Sequence, residues 1–517
     1  MLCLALFSGF LNRSFLPQYV KQLQAAGEAF GDLTIETLDS AVGEAIDLGL
    51  LAPMSADNPN LLMIQPVFPY FLKTKLAQSS AEFRSALRLG FKNHYEGLAG
   101  YYNQMMESRE AQEKQLGQLF CKWEYENLYA ALTIALERQE SISIFFCLGG
   151  YFNLTQNNKE KLEVAKEVNR ALRNYPQDFK QGQQGYQISF IMESIGRSHL
   201  ELKQYFEARI AYQSAIENYE ECPLIDQRQK QLWIATDHHQ LGIVAQELRE
   251  YEQARNDYQL ALQIYIEYND RYSQASTYHQ LGTVALELRE YEQARKDYQL
   301  ALQIYIEYSD RYSQASTYHQ LGIVAEKLRE YEQARNDYQQ ALQIQIEYND
   351  RYSQAGTYHQ LGRVAQELRE YEQARNDYQQ ALEIQIEYND RYSQAGTYYQ
   401  LGMVAQELRE YEQARKDYQQ AIQIKIEYND RYSQASTYGQ LGLLAEAEEK
   451  PEEAVQNLLK ALEIFSEFGD NHSMAIAIRN LKRLYQSHSS DQLLSAIGQA
   501  IGCSEVEVLQ LFEDVTA

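Results

Sequence analysis

Glycine and proline are scarce in this chain, with 26 Gly and 8 Pro in 517 residues, about half the ~12% of an average soluble protein. A sheet-rich fold needs far more turn residues, so the deficit points to helix. Cysteine is scarcer. Cys3, Cys121, Cys147, Cys222 and Cys503 are odd in number and scattered, without the close pairing of a metal site or a small disulfide scaffold. They read as reduced thiols of a cytoplasmic protein. Basic charge is also short: 47 Lys and Arg face 72 Asp and Glu, a formal charge of -25. Such a chain repels phosphate backbones and anionic lipid unless a basic patch is segregated, and none is visible, which speaks against nucleic-acid and membrane partners. Mean hydropathy is -0.54, too low for a membrane span. The apolar run Met1–Leu11 lacks both a Lys/Arg start and a small-x-small cleavage site, so it reads as a core helix rather than a secretory signal. No Gly-x-x-x-x-Gly-Lys-[Ser/Thr], Cys-x-x-Cys, His-Glu-x-x-His or Gly-x-Ser-x-Gly occurs, so neither nucleotide, cofactor, metal nor catalysis is expected.

What the chain does have is a period of 40 residues. Leu-Gly recurs at 241/242, 281/282, 321/322, 361/362, 401/402 and 441/442, and Tyr-Glu-Gln-Ala-Arg follows at fixed distance in all but the last copy. A divergent copy lies upstream, with Gly196, Tyr205, Ala208, Tyr212 and Ala215, set off by six extra residues around Cys222-Pro223. Within one copy, Ala275, Tyr278, Leu281, Gly282, Ala285 and Leu288 fall three or four apart and share a helix face. Tyr291, Ala294, Tyr298, Ala301 and Tyr305 do the same on a second helix. Each copy is therefore a helical hairpin that buries its apolar face only by stacking on neighbours. Asp270, Asp310, Asp350, Asp390 and Asp430 each precede a helix and read as caps rather than catalytic acids.

Tyr278-x2-Leu281-Gly282-x2-Ala285 followed by Ala294-x3-Tyr298-x2-Ala301 resembles the tetratricopeptide pattern. Tyr replaces the usual Trp, no proline follows Ala301, and Ser309-Asp310-Arg311 stands for the Gly-Asp-Arg turn of the 40-residue variety. The resemblance implies an all-α fold, a tetratricopeptide helical-hairpin solenoid (superhelix), with a winged-helix-like and helical region before it. Residues 235–470 would hold repeats 2–7, 188–222 the divergent first repeat, and 471–517 capping helices over the exposed end.

The stretch 1–78 differs in texture, with helical Leu16–Ala26 and Ile35–Leu51, then short apolar segments Leu61–Ile64 and Pro66–Leu72. Phe7-Ser8-Gly9-Phe10-Leu11-Asn12-Arg13, Gly49-Leu50-Leu51 and Gln65-Pro66-Val67-Phe68-Pro69-Tyr70-Phe71-Leu72 resemble the winged-helix segment of bacterial NB-ARC type (STAND) signalling ATPases. Gln65 takes the place of the His with which that family contacts nucleotide. In residues 79–175, a helical connector, Glu124-x-Glu126-Asn127-Leu128-x-x-Ala131-Leu132 is similar to the piece joining such ATPase cores to their repeat arms. The polar stretch 176–187 reads as a linker.

Comparing the copies marks a candidate surface. Classes 236, 239, 243 and 246 vary while Leu241, Gly242 and Ala245 do not, and steps of three, four and three put the variable set on one face of the first helix, read as free of packing constraints. In tetratricopeptide arrays that face lines the concave groove. The resemblance therefore implies a protein- or peptide-binding surface made of His239 and Ile243, then Ser276, His279, Thr283 and Leu286, then His319, Ile323 and Glu326, then His359, Arg363 and Gln366, then Tyr399, Met403 and Gln406, with Ser316, Gly356 and Gly396 in the same classes. The once-per-copy histidines do not suit a metal, because hairpins stack roughly 10 Å apart while zinc ligands lie about 2 Å from the ion. The functional expectation is a protein–protein interaction scaffold or sensor arm. The alternative is a remnant or detached half of an NB-ARC type switch ATPase. A nucleic-acid-binding regulator ranks below both, since Arg13, Lys21, Lys73 and Lys75 face seven acids within residues 1–75.

Overall fold

The computed structural model describes residues 1–55, 57–108, 110–182, 184–223, 226–487 and 491–514. The chain divides into two compact units, Met1–Asp270 and Arg271–Ala517.

The first unit opens with a small antiparallel sheet, β1 (Phe10–Asn12), β2 (Leu51–Ser55) and β3 (Asn58–Ile64), in the order β1-β3-β2. Around it lie α1 (Leu16–Ala26), α2 (Ile35–Asp47) and α3 (Val67–Leu76). Thr34 caps α2 by accepting the Thr37 N–H, and Gly49, at φ +69°, turns the chain from α2 into β2. The core helix expected over Met1–Leu11 is not formed. Leu2–Leu4 is one 3-10 turn, Gly9 reverses the chain at φ +66°, and Phe10 pairs with Met63 across the sheet. The run is nevertheless core, with Leu4, Ala5, Phe7 and Leu11 all buried.

Five helices continue the unit: α4 (Ala81–Glu107), α5 (Ala111–Trp123), α6 (Tyr125–Glu137), α7 (Ser143–Thr155) and α8 (Asn158–Leu172). Then come α9 (Gln177–Gln181), α10 (Tyr186–Glu201), α11 (Tyr205–Glu221), α12 (Gln227–Glu247) and α13 (Tyr251–Glu267). The segment 176–187, whose residue 183 lies outside the described residues, does not separate two cores. Its turn of helix α9 sets Phe179 edge-on against Tyr175 at 4.8 Å, and one buried cluster runs from Cys3 through Tyr175 and Ile191 to Ala211. Apolar residues on both sides of the polar stretch meet the same core, which a composition shift cannot reveal.

The second unit is a stack of hairpins: α14 (Arg271–Glu287) with α15 (Tyr291–Glu307), α16 (Arg311–Lys327) with α17 (Tyr331–Glu347), α18 (Arg351–Glu367) with α19 (Tyr371–Glu387), α20 (Arg391–Glu407) with α21 (Tyr411–Glu427), and α22 (Arg431–Ala447) with α23 (Pro451–Glu467). Glycine lets the paired helices approach. A Cβ added at Gly282, Gly322, Gly362 or Gly402 would come within 2.9 Å of the ring of Tyr298, Tyr338, Tyr378 or Tyr418, each fully buried on the partner helix. Successive hairpins share apolar clusters such as Ala325, Ala334, Tyr338, Leu361 and Val364. Asp310, Asp350, Asp390 and Asp430 accept the backbone N–H three residues on, as expected of caps. Among the described residues, α24 (Asn471–Ser487), α25 (Asp491–Ile501) and α26 (Glu505–Asp514) follow. Leu481, Leu484, Leu494, Ile497 and Phe512 bury Leu458 and Leu462 of α23. Residues 488–490 and 515–517 of the expected capping segment lie outside the described residues.

Candidate partner-binding groove

In the second unit the variable face of α14, α16, α18 and α20 leans on a tyrosine of its own hairpin, whereas α22 has Gly439 and its partner helix Leu458. The rings of His279, His319 and His359 meet those of Tyr298, Tyr338 and Tyr378 at centroid distances of 5.2, 5.3 and 5.3 Å, and Tyr399 takes the same place against Tyr418 at 5.9 Å. Burial lowers the imidazoles of His279 and His359 to about 4, the charge of Arg363 adding to the effect at His359, so both are neutral packing surfaces at physiological pH. In the first unit His239 sits likewise on Tyr258 at 5.2 Å and is lowered to about 4, with half-buried Ile243 one turn on.

The next positions answer to the tyrosine hydroxyl. Tyr338 donates to Glu326 Oε1 at 2.5 Å, Tyr378 to Gln366 Oε1 at 3.1 Å and Tyr418 to Gln406 Oε1 at 3.1 Å. In the copy where that position is Leu286, the Tyr298 hydroxyl lies 3.0 Å from Thr283 Oγ1, the only threonine in its class. A buried hydroxyl left unpaired costs about 1–3 kcal/mol, so the two positions vary together. Leu286, Ile323 and Met403 pack on the clusters between hairpins. His319 Nδ1 lies 3.1 Å from Thr357 Oγ1 of the next hairpin, Arg363 pairs with Glu326 of the previous one at 3.0 Å, and Lys425 stands 4.8 Å over the Tyr399 ring. Ser276 donates to the Ser273 carbonyl on its own helix. The face is therefore not free of packing constraints. Its side chains are half-exposed, and part of their variation maintains the hairpins.

The structure brings one section of this face around a cavity of about 420 Å³ spanning α16 to α20. His319 is the one residue of the expected surface in its lining, joined by Ser316 and Gly356 of the same classes, with Tyr312, Gln345 and Gln385. A Cβ at Gly356 would meet nothing within 4 Å. The sequence held a signal for Gln345 and Gln385. The second-helix position reads Tyr305, Gln345, Gln385, Lys425 and Phe465 in successive copies, and the cavity opens where glutamine replaces the ring. Tyr312 is 63% exposed and is Tyr in five of the six copies, Leu232 standing in the first, so comparison of the copies hides it.

Stacked hairpins of this kind define a helical-repeat protein. The tetratricopeptide repeat family model matches residues 233–307, 273–347, 313–387, 353–427 and 393–467, and a second tetratricopeptide model matches 194–221, together about half of the chain. The chain belongs to the tetratricopeptide repeat family. No curated protein matches it by sequence. Among solved structures, it is similar to the apo form of RapI, with 16% identity, 74% of this chain and 98% of that one covered, and a TM-score of 0.51. It is similar to a signal transduction ATPase with numerous domains (STAND) carrying a tetratricopeptide repeat sensor, from Pyrococcus horikoshii, with 13% identity, 98% of this chain and 64% of that one covered, and a TM-score of 0.50. A third is the apo quorum sensor NprR from B. thuringiensis, at 14% identity over 70% of this chain and all of that one, with a TM-score of 0.46. At these identities the likeness is one of fold. No helix among the described residues is long and apolar enough to cross a membrane.

Proposed function

We propose that the chain is a protein-interaction or sensor array that seats a peptide segment of a partner along the first-helix face of its second unit. The observation that carries this reading is the 420 Å³ cavity at His319, Gly356, Gln345 and Gln385, where hydrogen-bonding and aromatic groups meet beside an open glycine. A net charge of -25 favours a basic segment. The fold shared with the tetratricopeptide-sensor STAND protein over 98% of this chain supports one form of the reading, in which the array is the sensor arm of a switch whose nucleotide core is a separate part.

Peptide display against the full chain, counter-selected with Gly356→Arg, tests it. Arginine at 356 fills the groove from a position without neighbours. The selection should yield peptides that bind the native chain and lose at least tenfold in affinity on the variant, about 1.4 kcal/mol. Peptides that bind both equally place recognition elsewhere.

A further inference from the structure

The first unit holds a second cavity, about 450 Å³, between α4, α7, α8 and α10. One wall is aromatic: Phe145 and Phe146 of α7 with Tyr186 and Phe190 of α10, Phe146 and Phe190 meeting edge-on at 5.9 Å. The consecutive Gly149 and Gly150 keep the α7 side bare, and a Cβ at Gly150 would stand 3.1 Å from Asn103 Oδ1. Two glycines inside a helix each cost about 1 kcal/mol against alanine, so the opening is maintained against helix propensity.

Two cationic side chains also line the cavity. Lys161 is 2% exposed, yet among the described residues its Nζ reaches only the Asn153 amide oxygen, at 2.8 Å, and no carboxylate lies within ion-pair distance. Arg197 is exposed, lines the same cavity and makes no hydrogen bond or ion pair with the described residues, its charge acting on Glu193 and Asp237. Neither acid in the lining forms an ion pair with Lys161 or Arg197 among the described residues. Glu107 is engaged by Asn103 at 2.8 Å, and Glu193, which accepts from the Tyr219 hydroxyl at 2.5 Å, is pushed by burial toward its neutral form. Burial, then the charge of Arg197, holds Lys161 down to about 8, against the opposing pull of Glu201. Lys161 is thus a buried charge without an ion-pair partner among the described residues, and uncompensated buried charge is costly.

We propose that this cavity binds a small organic acid, an apolar or aromatic body against Phe145, Phe146 and Phe190 with its carboxylate between Lys161 and Arg197. The volume suits a small molecule rather than a folded partner. The proposal stands apart from the groove of the second unit.

The test titrates the full chain with 3-phenylpropionate, with two companion arms: 3-phenylpropionamide, which lacks the charge, and inorganic phosphate, which lacks the apolar body. The acid should saturate below about 10 mM and more tightly than either companion. Lys161→Met, which keeps the apolar stem, should weaken it at least tenfold, and Arg197→Gln severalfold, with helical circular dichroism unchanged. Affinity should fall as pH rises from about 7 through about 8, where Glu193 gains its charge and Lys161 loses its proton. No saturation, equal binding of the amide, tighter binding of phosphate, or undiminished binding by Lys161→Met each overturns the assignment. Were Lys161→Met to misfold, the pH profile and Arg197→Gln decide on the native chain.

Discussion

Two glycines six residues apart in α18 have opposite roles. Gly362 lies under the Tyr378 ring, 2.8 Å from where a Cβ would sit, whereas Gly356 faces open space. Gly362→Ala should therefore destabilise by about 1–3 kcal/mol through overpacking, while Gly356→Ala should stabilise by roughly 0.5–1 kcal/mol through helix propensity. Melting curves of the two variants check this, and shifts of the same sign would contradict the packing. Asp237 is a second residue whose environment sets a measurable sign. It is fully buried, neither carboxylate oxygen has a hydrogen-bond partner among the described residues, and burial, then the charge of Glu193, raises its pKa. A carboxyl raised on folding binds more protons in the native state, so stability falls as pH climbs from the ordinary carboxylate range through neutrality. Asp237→Asn should melt above wild type at pH 8, by about 2–4 °C per kcal/mol recovered, with the gap narrowing at pH 5. A gap independent of pH would show that Asp237 does not titrate in that window.

At the level of elements, hairpins were legible because period, small residues and apolar face all repeat locally. The turns between them were only partly so. Ser309 has φ +55°, where the neighbouring copies use Asn349, Asn389 and Asn429, and the Asp310 N–H reaches the Tyr305 carbonyl at 2.9 Å in a Schellman closure. The left-handed conformation is strained for serine, so Ser309→Gly should stabilise by about 0.5–1 kcal/mol, and Asn349→Gly by less, since asparagine visits this region readily. Equal shifts in melting temperature would remove the strain argument. Elements fixed by distant partners were hidden. β1 exists because Phe10 pairs with Met63, and no local pattern in Met1–Leu11 announces a strand. The functional face was found by variation among copies, but variation does not distinguish a ligand contact from the exchange of Gln366 for Leu286 with Thr283 beneath a tyrosine hydroxyl. Tyr312 escaped for the converse reason, being the same in every copy but the first, which has Leu232.

The two units of the molecule present different features. The unit ending at Asp270 holds an open cavity with cationic and aromatic groups, and the unit beginning at Arg271 exposes a lined face along stacked hairpins. Stability of such a stack is a sum of nearest-neighbour terms, so an exposed substitution in one hairpin leaves the others intact and binding can be probed without unfolding. Seating of a peptide segment at His319, Gln345, Gln385 and Gly356 is open to calorimetric titration of a display-selected peptide into the full chain and into Gly356→Arg, with a melting curve for each protein. Saturable binding to the native chain, at least tenfold weaker binding to the variant, and a variant that melts no lower than wild type are expected. Equal affinity for both proteins, at equal melting temperature, would contradict that seating.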